Sequence, residues 1–261
     1  VLCSAFAKAL AADGYAVALL GLNLKAAKQV EAEIQANGGE ALALQADVLD
    51  RSSLEDAARA VEARFGGWSV LINGAGGNHP RGTTSMETFS PEMEEGEGIT
   101  TFFDLQPENI RFVFDLNLLG AVLTTQVFAR PMTKTGGSIL NISSMNAFRP
   151  LTKIPAYSAA KAAVSNFTEW LAVHFAPCGI RVNAIAPGFF VTAQNYALLY
   201  DEAGNPTART QKILSQTPMG RFGKPEELCG ALRWLVDEEA SGFVTGIVVP
   251  VDGGFSAYSG V

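Results

Sequence analysis

A serine, a tyrosine and a lysine stand at set separations in "NISSMNAFRPLTKIPAYSAAK", residues 141–161. Ser144 lies thirteen residues before Tyr157, and Lys161 four residues after it. On a helix, positions i and i+4 share a face one turn apart. A free phenol titrates near 10 and is a poor acid–base catalyst at neutral pH. An ammonium beside it favours the phenolate and draws its pKa towards the working range. With Ser144 holding a carbonyl oxygen and Tyr157 delivering a proton to it, the carbonyl carbon still needs a hydride, which no side chain can give. A nicotinamide cofactor can. A solvated helix pair is the plain alternative for Tyr157 and Lys161, and Ser143 reads as structural.

These side chains need a scaffold that gathers loops at one edge. Short apolar runs alternate with longer helical patterns, as in βαβ units around a parallel sheet. The strand candidates are 16–20, 41–45, 69–73, 137–143, 180–186 and 244–250, and their near-continuous hydrophobicity predicts burial on both faces. Helical patterns lie near 2–13, 24–37, 53–65, 108–130, 155–176, 207–216 and 225–236. Asp50, Ser52 and Ser53 supply capping for the third, and Gly179 follows the fifth. In the 155–176 pattern, Ala156, Ala160, Ala163, Phe167, Leu171 and Phe175 recur at spacings of three and four. Open sheets bind ligands outside the carboxyl ends of their strands, where the loops 45–48, 73–77, 143–148 and 187–192 are polar or glycine-bearing. One such loop is ordinary punctuation; four at the same edge predict a nucleotide site. The expected fold class is α/β: a Rossmann-like, doubly wound parallel sheet in three α/β/α layers, forming one domain over 1–261.

The 261 residues, 48% hydrophobic and 17% charged, suffice for one large core. A formal net charge of −7 argues against nucleic acid or an anionic membrane as main partner, since both need a basic footprint. Cys3, Cys178 and Cys229 form no CxxC or Cys/His grouping, which predicts neither a disulfide frame nor structural zinc and makes a reducing cytoplasm the expected setting. Two histidines are too few for a histidine-based metal site, so no metal is expected. No apolar run approaching the roughly 18–20 residues of a membrane helix is read, nor a secretory leader. The chain starts without methionine, already inside a helical pattern, so residues are expected to be missing before Val1.

Ser144, Tyr157 and Lys161, with Asn117 in "FDLNLLG", "NGAG" at 73–76, "IRVNAIAPGFFVT" and the closing "VPVDGGFSAYSGV", resemble the short-chain dehydrogenase/reductase family over essentially the whole chain. YxxxK alone is common; the set in this order is specific. The resemblance implies NAD(P) binding and a catalytic tetrad of Asn117, Ser144, Tyr157 and Lys161, in which Asn117 holds a water chain leading to Lys161. It implies that Asp47 and Val48 line an adenine pocket and that Asn73, Ala75 and Gly76 serve the ribose and diphosphate side. Tyr157 and Lys161 would touch the cofactor too, and Pro187, Gly188 and Thr192 would hold its nicotinamide end. The family commonly forms tetramers, so a homotetramer or homodimer is expected.

Two departures stand out. The family's TGxxxGxG turn is absent: "VLCSAFAKALA" aligns with the helix that follows it, with Val1 and Cys3 at glycine positions, so the first strand is expected to be lacking from this sequence. In "LLGLN", Gly21 takes the place of the acid that would bind a ribose 2′-hydroxyl, and no arginine stands beside it for a 2′-phosphate. Asn23 and Lys25 are the nearest polar residues. NAD and NADP both stay open.

Asn117 comes 44 positions after Asn73, a longer stretch than the family usually has. Long irregular loops in compact domains are usually functional or disordered. The stretch 78–109 is read as an insertion that covers the substrate; its four glutamates between 92 and 97 allow a solvated surface loop as the alternative. His79 and Arg81 open it, and Asn146, Arg149 and Lys153 lie between Ser144 and Tyr157. Cationic and amide groups around a carbonyl site suit a carboxylated, polyhydroxylated substrate; surface charge is the alternative for Arg149 and Lys153. "GGNHPRGTTS", the 143–161 stretch and "MGRFG" look most like the D-mannonate oxidoreductase (fructuronate reductase) branch, which implies interconversion of D-mannonate and D-fructuronate. An uncharged polyol, ketose or other small ketone is the alternative substrate, and a silent nucleotide-binding protein the alternative of another class.

Overall fold

The computed structural model describes residues 2–192 and 195–260, without the side chains of Glu94 and Glu95. Val1, aligned above with a glycine of the phosphate turn, lies outside them. The elements run α1 (Leu2–Ala12), β1 (Val17–Gly21), α2 (Leu24–Ala36), β2 (Ala41–Gln45), α3 (Arg51–Phe65), β3 (Val70–Asn73), α4 (Pro107–Phe114), α5 (Gly120–Met132), β4 (Gly137–Ile142), α6 (Pro155–Phe175), β5 (Ile180–Pro187), α7 (Tyr196–Leu199), α8 (Ala208–Ser215), α9 (Cys229–Val236), α10 (Glu238–Ser241) and β6 (Val248–Val251).

The pairings among β1 to β6 are parallel. β1 pairs with β2, Val17 opposite Ala41, and β3, β4, β5 and β6 pair in that order, with Val70 opposite Ser138, Gly137 opposite Ile180 and Ala184 opposite Val248. The central strands are buried on both faces, as their near-continuous hydrophobicity predicts. Ile139 and Val182 join Leu54, Phe128, Met132 and Leu171 on the side of α3, α5 and α6. Their strand neighbours Leu140 and Ile185 point the other way, to Phe6 and Leu10 of α1 and Leu232 and Leu235 of α9. Alternation within two strands thus makes three layers.

Local signals place most boundaries. Asp50 caps α3 by accepting from the Ser52 and Ser53 N–H groups, and Gly66 closes that helix in the left-handed region. The last strand begins later than expected, at Val248. Gly246 holds a φ of +81° and Thr245 Oγ1 accepts the Val182 N–H, so residues 244–247 form the turn into the strand. The membrane reading also needs correction. Pro107–Met132 is one helical stretch of 26 residues with a mean hydropathy of 1.5 over its best window, long and apolar enough to cross a membrane by length and composition. Its Val113, Asn117, Thr125 and Phe128 are buried within the protein, as in the core helix of a folded domain.

Candidate active site

Parallel strands end at one edge, so the segments after β2, β3, β4 and β5 meet there. Ser144 follows β4 and caps a short 3₁₀ turn, Met145–Ala147, its Oγ accepting the Asn146 N–H at 3.2 Å. Pro155 opens α6, its fixed φ suiting a first helical position. Ala156 and Ala160 pack on Val113 together with Tyr157, which fixes the face that α6 turns inward. Lys161, only 4% exposed, reaches back across that face and donates from Nζ to the Ile142 carbonyl at 2.7 Å, at the end of β4. The same ammonium stands 5.7 Å from the centroid of the Tyr157 ring. Ser143 faces away from this cleft, bonded to Ser165 Oγ at 2.7 Å and donating to the Lys161 carbonyl at 3.2 Å.

Asn117 sits in a five-residue π-turn, Asp115–Leu119, that interrupts the long helix. The wider turn changes the backbone ladder, a device found often at functional sites. Asn117 Nδ2 donates to the Val113 and Gly77 carbonyls, each at 2.8 Å, and Oδ1 accepts the Gly77 N–H at 3.0 Å. Gly77 is therefore clamped at both backbone polar groups. At the neighbouring Gly76, a Cβ would lie 2.5 Å from Asn117 Oδ1 and 3.1 Å from Lys161 Nζ. Any other side chain would fill the cradle in front of Asn117 and Lys161.

Burial raises the Tyr157 phenol above its ordinary 10, with the Ser144 side chain pulling the other way. Burial also lowers Lys161 from 10.5 to about 8. The expected descent of the tyrosine beside an ammonium is thus absent from this structure. Both groups leave water together, so each resists its charged form, and the ammonium is occupied by the Ile142 carbonyl.

The remaining residues expected at the cofactor divide. Asp47 Oδ1 accepts the Leu49 N–H at 2.9 Å, and Val48 fits against Gly120, where a Cβ would be 2.9 Å from its Cγ2. Pro187 ends β5; Gly188 follows so tightly packed that a Cβ would be 2.6 Å from Asp252 Cα. Thr192 donates its N–H to Asn195 Oδ1 at 2.8 Å. Ala75 and Gly76 are exposed at the cleft. Asn73 is different: its side chain is committed inward, Nδ2 donating to Thr125 Oγ1 at 2.9 Å and to Asn141 Oδ1 at 2.8 Å. Asn141 in turn donates to Thr168 Oγ1 at 2.9 Å, so a polar chain joins α5, β3, β4 and α6 beneath the cleft. Cys3 Sγ lies against Gly74, where a Cβ would be 2.2 Å away. Asn23 Oδ1 caps α2 by accepting the Ala26 N–H at 3.0 Å, and nothing stands within 4 Å of a Cβ placed on Gly21.

The basic residues expected at a substrate are mostly engaged elsewhere. Arg149 Nε donates to the Ser256 carbonyl at 3.1 Å and Lys153 Nζ to the Ser85 carbonyl at 2.6 Å. These loop charges found backbone carbonyls 107 and 68 residues away, which sequence spacing cannot reveal. Arg81 is exposed. The arginine of "MGRFG", Arg221, forks onto Glu227 at 2.7 and 2.6 Å. Asn146 is 4% exposed with its Oδ1 sealed and unpartnered among the described residues, which costs about 1–3 kcal/mol. Its backbone N–H, bonded to Ser144, is the part sequence reading missed. The insertion is strapped across this region. Thr84 N donates to the Lys153 carbonyl at 2.9 Å, while Glu87 pairs with Lys212 of α8.

A family model described as enoyl-(acyl carrier protein) reductase matches residues 2–256. The chain belongs to the short-chain dehydrogenase/reductase family. It is an NAD(P)-dependent oxidoreductase. It is 57% identical to an uncharacterized oxidoreductase of Haemophilus influenzae, covering 100% of this chain and 91% of that protein. It is 55% identical to the uncharacterized oxidoreductase UxuB of Bacillus subtilis, over 100% and 93%. A crystal structure from Haemophilus, provisionally described as a D-mannonate oxidoreductase and holding NAD, superposes with a TM-score of 0.96 at 56% identity, over 100% and 93% of the two chains. A gluconate 5-dehydrogenase of Burkholderia cenocepacia, in complex with NADP and tartrate, gives 0.83 at 29% identity, over 98% and 91%.

Proposed function

We propose that this oxidoreductase interconverts a sugar-acid hydroxyl and ketone, D-mannonate and D-fructuronate being the pair favoured, with Asn117, Ser144, Tyr157 and Lys161 as its catalytic residues. The observation that carries the reading is the meeting of Asn117 and the Lys161 ammonium at Gly76, with the Tyr157 ring beside that ammonium and Ser144 hydrogen-bonded to the phenol. The cradle fits a nicotinamide nucleotide, because Lys161 has one of its three N–H groups on Ile142 and the others free for ribose hydroxyls. When bound, the nicotinamide supplies or accepts the hydride.

In the reducing direction Tyr157 gives its proton to the carbonyl oxygen as the alkoxide forms; in the oxidising direction it takes the hydroxyl proton back. Ser144 holds the same oxygen with a hydrogen bond from its hydroxyl, whose Oγ already accepts the Asn146 N–H, and keeps its own proton. Lys161, charged below about pH 8, stabilises negative charge on the phenolic oxygen. Asn117 fixes the Gly76–Gly77 backbone and so the cradle. Asp47, Val48, Ala75, Gly76, Pro187, Gly188 and Thr192 line the cofactor's path, and Asn73 supports it from below.

The chain is read as one domain whose 78–109 insertion roofs the substrate, supported by its ties to Lys153 and Lys212. Exposed Phe112, Leu119, Trp170 and Val173 on the long helices support a homodimer or homotetramer, and the free Cys3, Cys178 and Cys229 support a reducing, cytoplasmic setting. The sugar-acid assignment draws on the likeness to the Haemophilus protein. A second reading, an uncharged ketose or polyol, is favoured by the engagement of Arg149 and Lys153 with backbone carbonyls. The test follows nicotinamide absorbance with NADH and NADPH in turn after adding D-fructuronate, D-tagaturonate or an uncharged ketose. Rapid oxidation with fructuronate is the expected result and also names the preferred nucleotide; turnover of the uncharged ketose alone would replace the sugar-acid reading.

A further inference from the structure

The segment 77–85 is held at both ends by residues that flank the proposed catalytic group. Asn117 grips Gly77 at one end, and Lys153, four residues before Tyr157, takes the Thr84 N–H and the Ser85 carbonyl at the other. Between the ends, Asn78 Nδ2 donates to Thr83 Oγ1 at 2.9 Å, which donates to the His79 carbonyl at 3.2 Å. Gly82 rests on Val113, the residue that packs with Ala156, Ala160 and Tyr157. The segment therefore runs beside the first turn of α6, and His79 is its half-buried side chain nearest the Asn117 clamp.

The imidazole is fixed in place and in tautomer. Its Nδ1 accepts the Arg81 N–H at 3.2 Å, and its ring meets Phe112 edge-on at 5.2 Å between centroids. A backbone N–H can only donate, so Nδ1 carries the lone pair and the proton of the neutral ring sits on Nε2. Nε2 makes no hydrogen bond among the described residues. With Arg149 and Lys153 engaged and Arg81 out at the surface, it is a donor held in place and without a partner among the described residues, on a segment that begins at the Asn117 clamp.

We infer that His79 determines specificity: its Nε2–H donates to a substrate oxygen, carboxylate or hydroxyl, carried near the reacting carbonyl. The inference rests on the oxidoreductase reading above. Two variants separate the ring's two nitrogens. His79→Asn puts an amide oxygen where Nδ1 accepts, keeping the turn but removing the distant donor. His79→Gln reaches the position of Nε2 but gives up the cap.

The experiment measures kcat and KM for D-fructuronate, an uncharged ketose and a simple ketone lacking neighbouring oxygens, together with Tm and the Kd for NADH. His79→Asn is expected to keep Tm and the NADH Kd. Its selectivity for the preferred substrate over the simple ketone should fall by about ten- to a hundredfold, mainly through KM. His79→Gln should recover part of that loss. A fall confined to fructuronate identifies a carboxylate partner, and an equal fall with the ketose a hydroxyl. Unchanged selectivity, or a fall shared by every substrate and accompanied by a lower Tm, overturns the inference while the wild type still turns over. A wild type inert towards all three overturns the proposed substrate reading and this inference with it.

Discussion

Two regions flank the cleft, both rich in polar residues, and they use them in opposite ways. Along α6 and the end of β4, the Tyr157 phenol is hydrogen-bonded to Ser144 and lies beside Lys161, whose ammonium gives one N–H to Ile142 and still reaches the space at Gly76. In the loops around it, 143–154 and 78–109, Arg149, Lys153 and Glu87 are taken up by Ser256, Ser85 and Lys212. The first region is rigid secondary structure, whose periodicity presents groups whether or not a ligand is there. The second is loop, whose backbone carbonyls lack ladder partners and capture the nearest donor. Charge near a site is therefore weak evidence of charge recognition until its partners are known.

The largest effect that could break this contrast is at Tyr157. Tyr157→Phe is expected to lower kcat by about 10²- to 10⁴-fold with an unchanged Tm; near-normal turnover would show that the phenol is only packing. Lys161 gives an effect readable without substrate. Its folded pKa, about 8, lies below its unfolded 10.5, so between these values the folded state holds fewer protons and stability rises with pH. Relative to Lys161→Met, the wild type should gain at most about 3 kcal/mol across that window by urea unfolding. The Tyr157 phenol, raised by burial, works oppositely above 10. Parallel curves for the two proteins would mean that the ammonium is solvated. The smallest effect sharpens the loop side. Lys153→Met should speed proteolysis within 84–99 and reduce kcat/KM by about three- to thirtyfold, equally for fructuronate and an uncharged ketose. A loss confined to fructuronate would move Lys153 into the binding site.

The elements themselves were widely readable, and particular residues show why. Near-continuous hydrophobic runs such as "SILNI" predict strands buried on both faces, and Ile139 and Leu140 are 0% exposed. A cap at Asp50 and a terminating Gly179 work through bonds to near neighbours, so they are visible in a short window. The π-turn at Asp115–Leu119 carries no glycine or proline to announce it. Nor does anything in "NGAG" say that Asn73 turns its side chain towards Thr125 and Asn141 rather than the cleft.

What the sequence by itself determined is what depends on spacing along one element: the parallel α/β order, the shared face of Tyr157 and Lys161, and the hydroxyl of Ser144 at a strand end. Tertiary structure decided what depends on partners far apart in the chain. It set the grip of Asn117 on Gly77, forty residues away, the capture of Lys153 by Ser85, sixty-eight away, and the burial that shifts Tyr157 and Lys161 in opposite directions. A hydrogen bond or a loss of water is a property of the space around a group, and only the folded chain defines that space.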